Sequence, residues 1–347
     1  MPKIKTALLA YGMSGKIFHA PFLDLNPNFE LVGAWERTTK NIQNDYPNTQ
    51  SFASIEALLT ASIDLVIINT PIDTHFEYAK KALQAGKHIL VEKAFTTTLK
   101  EALYLQKLAQ KLQLQLAVFH NRRWDSDFKT VAQILKSGKL GEIVEAEFHF
   151  DRYNPNLNPK PHKETPTIGA GLLKDLGSHL IDQALHLFGM PTAIFADIRH
   201  TRHQSQVDDC IDILLIYSSF RVRLKSSFFV RQPIPSYILH GKNGSFLKPR
   251  GDLQEAHLKL GLKPNLPNWG TENATEKGLL HTQIGTQITN RKVKSLKGNY
   301  MPFFDQLAAA LTQNTPLPVT AQEGVNVMKI IELAIKSNTK KRIIKIS

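Results

Sequence analysis

The constraint that narrows the fold most is the alternation, over the first 120 residues, of short β-rich runs with amphipathic helical stretches. The runs fall at 4–10, 29–36, 64–70, 88–92 and 114–119. Between them, 75–85 carries helical periodicity and stops at Gly86. The stretch 98–112 opens with Thr98-x-x-Glu101, a capping box that satisfies two otherwise unpaired amides at a helix start. Strand and helix in succession cover both faces of a parallel sheet, so residues 1–120 are expected to form an α/β, Rossmann-type doubly wound domain.

After about residue 140 the texture changes to longer alternating runs, at 143–150, 193–200, 209–217, 220–229 and 237–241, with a turn at Lys242-Asn243-Gly244. Such a series predicts a large, mostly antiparallel sheet in a C-terminal α+β domain, assigned to residues 121–347. One helix, 172–188, interrupts it; two more, 302–312 and 321–336, close the chain and are placed back on the sheet or on the first domain. The stretch 249–297 receives no assignment, and no internal repeat is visible.

The first strand runs into Ala10-Tyr11-Gly12-Met13-Ser14-Gly15, and a helix opens at Lys16-Ile17-Phe18-His19. Small residues in such a turn let the backbone approach a pyrophosphate, while the helix start offers unpaired N–H groups and the positive end of its dipole. Ala10 stands in for the first of three glycines. A tight turn serving packing alone is the plain alternative, but the position after the first strand of a βαβ unit favours dinucleotide binding. Ala10, Gly12, Met13, Ser14 and Gly15 are therefore candidate cofactor contacts. The acidic residue expected about 20 positions further on, to hold the ribose hydroxyls, is Glu36, with Arg37 and Thr38 directly after it. Arginine there meets the 2′-phosphate of NADP bidentately, whereas a carboxylate repels it. The pair leaves NADP slightly favoured and NAD close behind.

In a doubly wound sheet the carboxyl ends of the strands face the ligand crevice. Asn69-Thr70-Pro71 closes one strand with His75 soon after, and Glu92-Lys93 closes the next. All six join the glycine turn as cofactor candidates, with Lys93 at the nicotinamide end. In the second domain Asp175 and His179 lie four apart on one helical face, with Asp182 three further on. A carboxylate beside an imidazole orients the ring and favours its protonated form, which suits a general base taking a hydroxyl proton. Leu172, Leu173, Leu176, Leu180 and Ile181 make that helix largely apolar, which places its His and Asp near a cleft rather than in open water.

In this order and combination the residues resemble the Gfo/Idh/MocA oxidoreductases over essentially the whole chain. More narrowly, Tyr11-Gly12-Met13-Ser14-Gly15, His120-Asn121-Arg122-Arg123-Trp124-Asp125, Asp151-Arg152-Tyr153 and Leu176-Gly177-Ser178-His179-Leu180-Ile181-Asp182-Gln183 are similar to the NADP-dependent scyllo-inositol dehydrogenase branch. Two positions depart from the family pattern: Ala10 replaces Gly, and Ala94 stands where Pro usually follows Glu-Lys. The resemblance implies hydride transfer between a nicotinamide and the secondary carbinol carbon of a polyol or sugar such as scyllo-inositol. His179 would accept the hydroxyl proton, Asp175 would hold His179 and the substrate hydroxyls, and Lys93 would stabilise the developing alkoxide, all over one nicotinamide ring. It further implies that Asn121, Arg123, Trp124, Arg152 and Tyr153 line the substrate pocket, that no metal takes part, and that the C-terminal sheet mediates a homodimer or homotetramer.

Composition removes other classes. A balance of 43 Lys and Arg against 30 Asp and Glu gives a net charge of +13, which favours anionic ligands, but the basic residues are scattered and no helix-turn-helix, RNA-recognition or zinc-finger pattern accompanies them. Nucleic-acid binding is not expected. The single cysteine, Cys210, precludes an intramolecular disulfide, no apolar run reaches membrane-spanning length, and the N-terminal run is too short for a signal-peptide core, so a cytoplasmic protein is expected. Two other functions stay open: a dinucleotide-binding sensor without catalysis, and a reductase of another carbonyl or an imine, since substrate choice would sit in loops at 151–170 and 230–300.

Overall fold

A computed structural model describes residues 2–158 and 164–346, so part of the 151–170 loop lies outside the described residues. The chain separates into two compact units. The first contains the residues up to Trp124, with Leu253–Trp269 and Asn299–Val325; the second contains Asp125–Asp252, Gly270–Gly298 and the residues from Asn326 onward.

The first unit is built on six parallel strands: β1 (Ile4–Leu8), β2 (Phe29–Trp35), β3 (Gln50–Phe52), β4 (Leu65–Ile68), β5 (His88–Glu92) and β6 (Leu116–Phe119). Their order, β3-β2-β1-β4-β5-β6, reverses direction of growth at β1 and β4, which is the doubly wound arrangement anticipated. β4 and β6 are buried along their whole length because helices cover both faces of the sheet, and this is why they read as unbroken apolar runs. The three-residue strand β3 carries too little pattern to be seen in the sequence.

Helix Leu99–Lys111 starts on the anticipated capping box, with the Thr98 hydroxyl and the Glu101 carboxylate each bonded to the other's backbone N–H. Helix Ile72–Gln84 begins directly after Pro71, whose fixed φ suits a helix entrance, and ends against Gly86 at φ 75°. Helix Met301–Gln313 belongs to this unit as well. Its Phe304 stacks on Phe22 at 5.4 Å between ring centroids, and Phe303 meets Phe119 edge-on at 5.0 Å.

The second unit carries nine strands: β7 (Ile143–His149), β8 (Ala193–Arg199), β9 (Cys210–Ile216), β10 (Arg221–Ser227), β11 (Tyr237–Gly241), β12 (Gly244–Lys248), β13 (Gly278–Ile284), β14 (Gln287–Val293) and β15 (Ile344–Lys345). They are ordered β14-β13-β12-β11-β7-β10-β9-β8-β15, antiparallel except where β7 runs beside β10. The fold class is thus α/β with a parallel sheet and a larger, mostly antiparallel one. Alternate residues of β9 and β10, Ile211, Ile213, Leu215, Val222 and Leu224, are buried, and helix Ser178–Phe188 packs on that side of the sheet.

The unassigned stretch 249–297 contributes helix Gln254–Lys259 to the first unit and the hairpin β13–β14 to the second, with Gly285 at φ 61° in its two-residue turn. A buried ion pair fastens its return in the second unit. Lys248 Nζ lies 2.7 Å from a Glu272 carboxylate oxygen, and the Ser126 and Ser295 hydroxyls donate to the same carboxylate.

Candidate active site

The phosphate turn and the strand ends beside it are joined by three side chains. Asn69, at the end of β4, spans Ala10: its Oδ1 accepts from the Ala10 N–H at 3.0 Å and its Nδ2 donates to the Ala10 carbonyl at 2.7 Å. Gly15 must lack a side chain, since a Cβ there would stand 2.5 Å from the Ala10 carbonyl oxygen and 2.8 Å from Asn69 Nδ2. Gly12 faces open space and Met13 is half exposed, so the outer side of the turn leaves its backbone approachable. This fits a dinucleotide pyrophosphate: a close-packed inner side, an open outer side, and a helix start behind it.

That helix does not open as a regular α-helix. Gly15–His19 forms a π-turn before Ala20–Leu25 continues as α. The wider i→i+5 repeat brings Ser14 and His19, five residues apart, onto the same atom: both bond Oε1 of Glu92, His19 Nε2 at 2.9 Å. Glu92, whose other oxygen accepts from the Lys93 N–H at 3.2 Å, thereby locks the carboxyl end of β5 onto the phosphate turn. Its carboxyl is held below the ordinary glutamate value: burial pushes upward, but the bonds from His19 and Ser14 and the field of Lys93 outweigh it.

Lys93, half-buried, follows, and the Lys93–Ala94 peptide is cis. His75 fixes the next segment. Its Nε2 lies 2.9 Å from the Thr70 carbonyl and its Nδ1 3.2 Å from the carbonyls of Ala94 and Phe95, which binds the end of β4 to the residues after Lys93. Burial keeps the His75 ring below its ordinary pKa, with the carbonyls and Glu92 opposing. Of the cofactor candidates in this unit, Ala10, Gly15 and Asn69 therefore form one cluster, Ser14, Glu92 and Lys93 a second, and Thr70 and His75 a third, with Pro71 as the N-cap of helix Ile72–Gln84.

The end of β2 carries the three remaining cofactor candidates, Glu36, Arg37 and Thr38. Glu36 turns its carboxylate onto its own loop, accepting from the Asn41 and Ile42 N–H groups, both at 3.0 Å, and from the Thr39 hydroxyl. Arg37 and Thr38 are exposed. Arg123, largely buried, pairs with Glu323 at 2.7 Å, Trp124 packs edge-on against Phe303, and Asn121 is buried beside them in the 3-10 turn Asn121–Trp124.

In the second unit Asp175 sits in another π-turn, Leu173–Gly177, which passes into helix Ser178–Phe188. The anticipated continuous helix 172–188 thus begins with one wide turn, a feature that recurs at functional positions. Asp208 anchors the start of that turn: its carboxylate accepts from the Leu173 N–H at 2.6 Å and its carbonyl from the Leu172 N–H at 2.8 Å. Gly171, at φ 99°, leaves room for the same carboxylate. Burial raises the Asp208 pKa. His179 and Asp182 are buried at 4% and 2% exposure, while Asp175 is only partly covered. Arg152 lies over the Phe150 ring at 5.3 Å, and Tyr153, 45% exposed, is stacked by Arg231 at 4.0 Å.

His19, Asp208 and Asp45 are the supports that sequence reasoning missed. Asp45 accepts from the Tyr11 hydroxyl and pairs with Lys16, both at 2.8 Å. Their partners lie 73, 35 and 34 residues away, so no local pattern marks them; only the five-residue spacing of Ser14 and His19 carried a signal. Among the described residues no group of three or more His, Cys, Asp or Glu is arranged to hold a metal ion. No helix of the described residues is long and apolar enough to cross a membrane.

Two family models cover most of the sequence: an oxidoreductase NAD-binding Rossmann fold over residues 4–120 and an oxidoreductase C-terminal alpha/beta domain over residues 132–346. The chain belongs to the Gfo/Idh/MocA oxidoreductase family. It is 35% identical to the scyllo-inositol 2-dehydrogenase (NADP(+)) IolW of Bacillus subtilis over 98% of this chain and 95% of that protein. It is 37% identical to the uncharacterized oxidoreductase YdgJ of Escherichia coli over 96% of each. The crystal structure of an oxidoreductase from Bacillus cereus, 29% identical, superimposes with a TM-score of 0.93 over 99% of both chains.

Proposed function

We propose that this Gfo/Idh/MocA chain is an NADP(H)-dependent dehydrogenase that moves a hydride between the nicotinamide and a secondary hydroxyl carbon of a polyol or sugar, with inositols as the first substrates to try. The observation that carries this is the full-length similarity to an NADP-dependent scyllo-inositol dehydrogenase. The β2 loop supports the choice of NADP, because Glu36 is occupied within the loop while Arg37 and Thr38 face solvent.

Ala10, Gly12, Met13, Ser14 and Gly15 hold the pyrophosphate through backbone and small side chains, with Asn69 and Glu92 keeping the turn in shape. Thr70, Pro71 and His75 shape the neighbouring strand end. Bound NADP supplies the hydride acceptor; every proton is handled by the chain. His179 takes the proton from the reacting hydroxyl, Asp175 orients His179 and the neighbouring hydroxyls, and the Lys93 ammonium stabilises the developing alkoxide by charge. Asn121, Arg123, Trp124, Arg152 and Tyr153 are proposed to shape substrate choice. We further propose a homo-oligomer formed through the outward side of the nine-stranded sheet, where half-exposed Phe195 sits among the pairs Arg221–Glu145 and Arg223–Asp212; light scattering reads its size.

Inositols, keto-inositols and aldoses screened by the absorbance of reduced nicotinamide test the function. Turnover of a polyol with NADP, lost in His179→Ala, is expected. No turnover on any of them, or full activity in that variant, would overturn it.

A further inference from the structure

We propose that Glu36 is a positioning residue for the 2′-phosphate of the cofactor, shaping the loop that selects NADP, instead of holding the ribose hydroxyls as an acidic residue at the end of a second strand ordinarily does. The inference rests on NADP being the cofactor. The loop leaves β2 after Trp35 and is anchored again at Ile42, which is fully buried. Between them residues 37–40 are exposed and read Arg-Thr-Thr-Lys, a set of two cations and two hydroxyls that suits a phosphate dianion.

The Glu36 carboxylate sits inside this turn. Oε1 accepts from the Asn41 N–H at 3.0 Å and from the Thr39 hydroxyl at 3.3 Å, and Oε2 accepts from the Ile42 N–H at 3.0 Å. The two amides lie at the start of the short helix Ile42–Asp45, where backbone donors lack intrahelical partners. A carboxylate swung out toward a ribose would abandon them. At its far end the loop is tied to the phosphate-turn helix, because Asp45 accepts from the Tyr11 hydroxyl and pairs with Lys16. Both ends of the arginine-bearing segment are thus set before any ligand arrives, which lowers the ordering cost of binding.

Charge and positioning make opposite predictions. If only charge mattered, Glu36→Gln would remove a repulsive anion and tighten NADPH. If the carboxylate shapes the loop, Glu36→Gln keeps an acceptor for only one of the two N–H groups and sets its own NH2 donor against the other, and Glu36→Asp keeps the charge but is one methylene too short to bridge both N–H groups. The dissociation constants of NADPH and NADH, measured by calorimetry on the full chain without substrate, decide between them. We expect the preference for NADPH over NADH to fall about tenfold in both Glu36 variants and in Arg37→Ala, through weaker NADPH binding. Should Glu36→Gln not fold, Glu36→Asp carries the same comparison. An unchanged preference in Arg37→Ala refutes the NADP assignment itself. A lowered preference in Arg37→Ala, together with tighter NADPH binding, an unchanged preference or a selective loss of NADH binding in the Glu36 variants, overturns the role of Glu36 alone.

Discussion

Replacing Asn69 by alanine tests whether the phosphate turn is held from the end of β4. The side chain makes two hydrogen bonds to one residue, at 3.0 Å to the Ala10 N–H and 2.7 Å to its carbonyl, and it is itself 7% exposed. A net contribution of about 1 kcal/mol for each gives roughly 2 kcal/mol, and stranding both Ala10 groups without water would raise the cost to about 4 kcal/mol. Ala10 is only partly buried, and removing the amide opens space next to Gly15 for water, so the lower figure applies. Urea unfolding followed by circular dichroism should therefore show Asn69→Ala destabilised by about 2 kcal/mol, with NADPH binding weakened because the turn is no longer fixed. Asn69→Asp is the sharper control. It still accepts from the Ala10 N–H, but it turns a second acceptor toward the Ala10 carbonyl and adds an anion beside the pyrophosphate, so NADPH should bind more weakly than to Asn69→Ala. An Asn69→Ala protein within about 0.5 kcal/mol of the parent, with unchanged NADPH affinity, would refute the clamp.

Three further outcomes are expected. His75 and His88 are both kept below the ordinary imidazole value of 6.5 by burial, and His88 Nδ1 accepts from the Gln115 N–H, a bond that a proton would break. Their neutral forms favour the folded state, so unfolding free energy should fall as pH drops below about 6.5, and a His75→Gln/His88→Gln protein should lose much of that slope. Glu92 adds a second, more acidic phase: its lowered pKa gives stability that is present above about 4.5 and lost as pH falls through the folded value, and Glu92→Gln should remove it. Lys248→Met leaves the Glu272 carboxylate buried without its cation, and chemical denaturation should register a loss of about 3–5 kcal/mol, with Lys248→Met/Glu272→Gln recovering part of it.

The parallel sheet was legible because its central strands, covered on both sides, read as short unbroken apolar runs, while the helices between them carry an apolar stripe at a period of 3.6 residues. The Thr98–Glu101 cap needed only four letters. What stayed hidden shares a different character. β14 (Gln-Ile-Thr-Asn-Arg-Lys-Val) is largely exposed, so no buried face imprints alternation on it, and its partner β13 buries only Gly278, Leu280 and Thr282. The π-turns at Gly15–His19 and Leu173–Gly177 are indistinguishable from plain helix in the sequence, since a single wide turn barely disturbs apolar periodicity. In the site, the placement of Asn69, Thr70, Glu92 and Lys93 at strand ends was readable, whereas the hydrogen bonds of Glu36 within its own loop depend on geometry that composition does not encode. An acidic residue in that position looks the same whether it points toward a ribose or back into its own loop.

Hydride transfer assisted by His179 can be followed through the fate of one hydrogen atom. Scyllo-inositol carrying deuterium on its ring carbons, incubated with NADP and the enzyme, should yield reduced cofactor that bears the deuterium at the nicotinamide when read by mass spectrometry, and His179→Ala should slow that transfer by at least about a hundredfold. Reduced cofactor without the label, or equal transfer rates in the two proteins, would contradict direct hydride transfer assisted by His179.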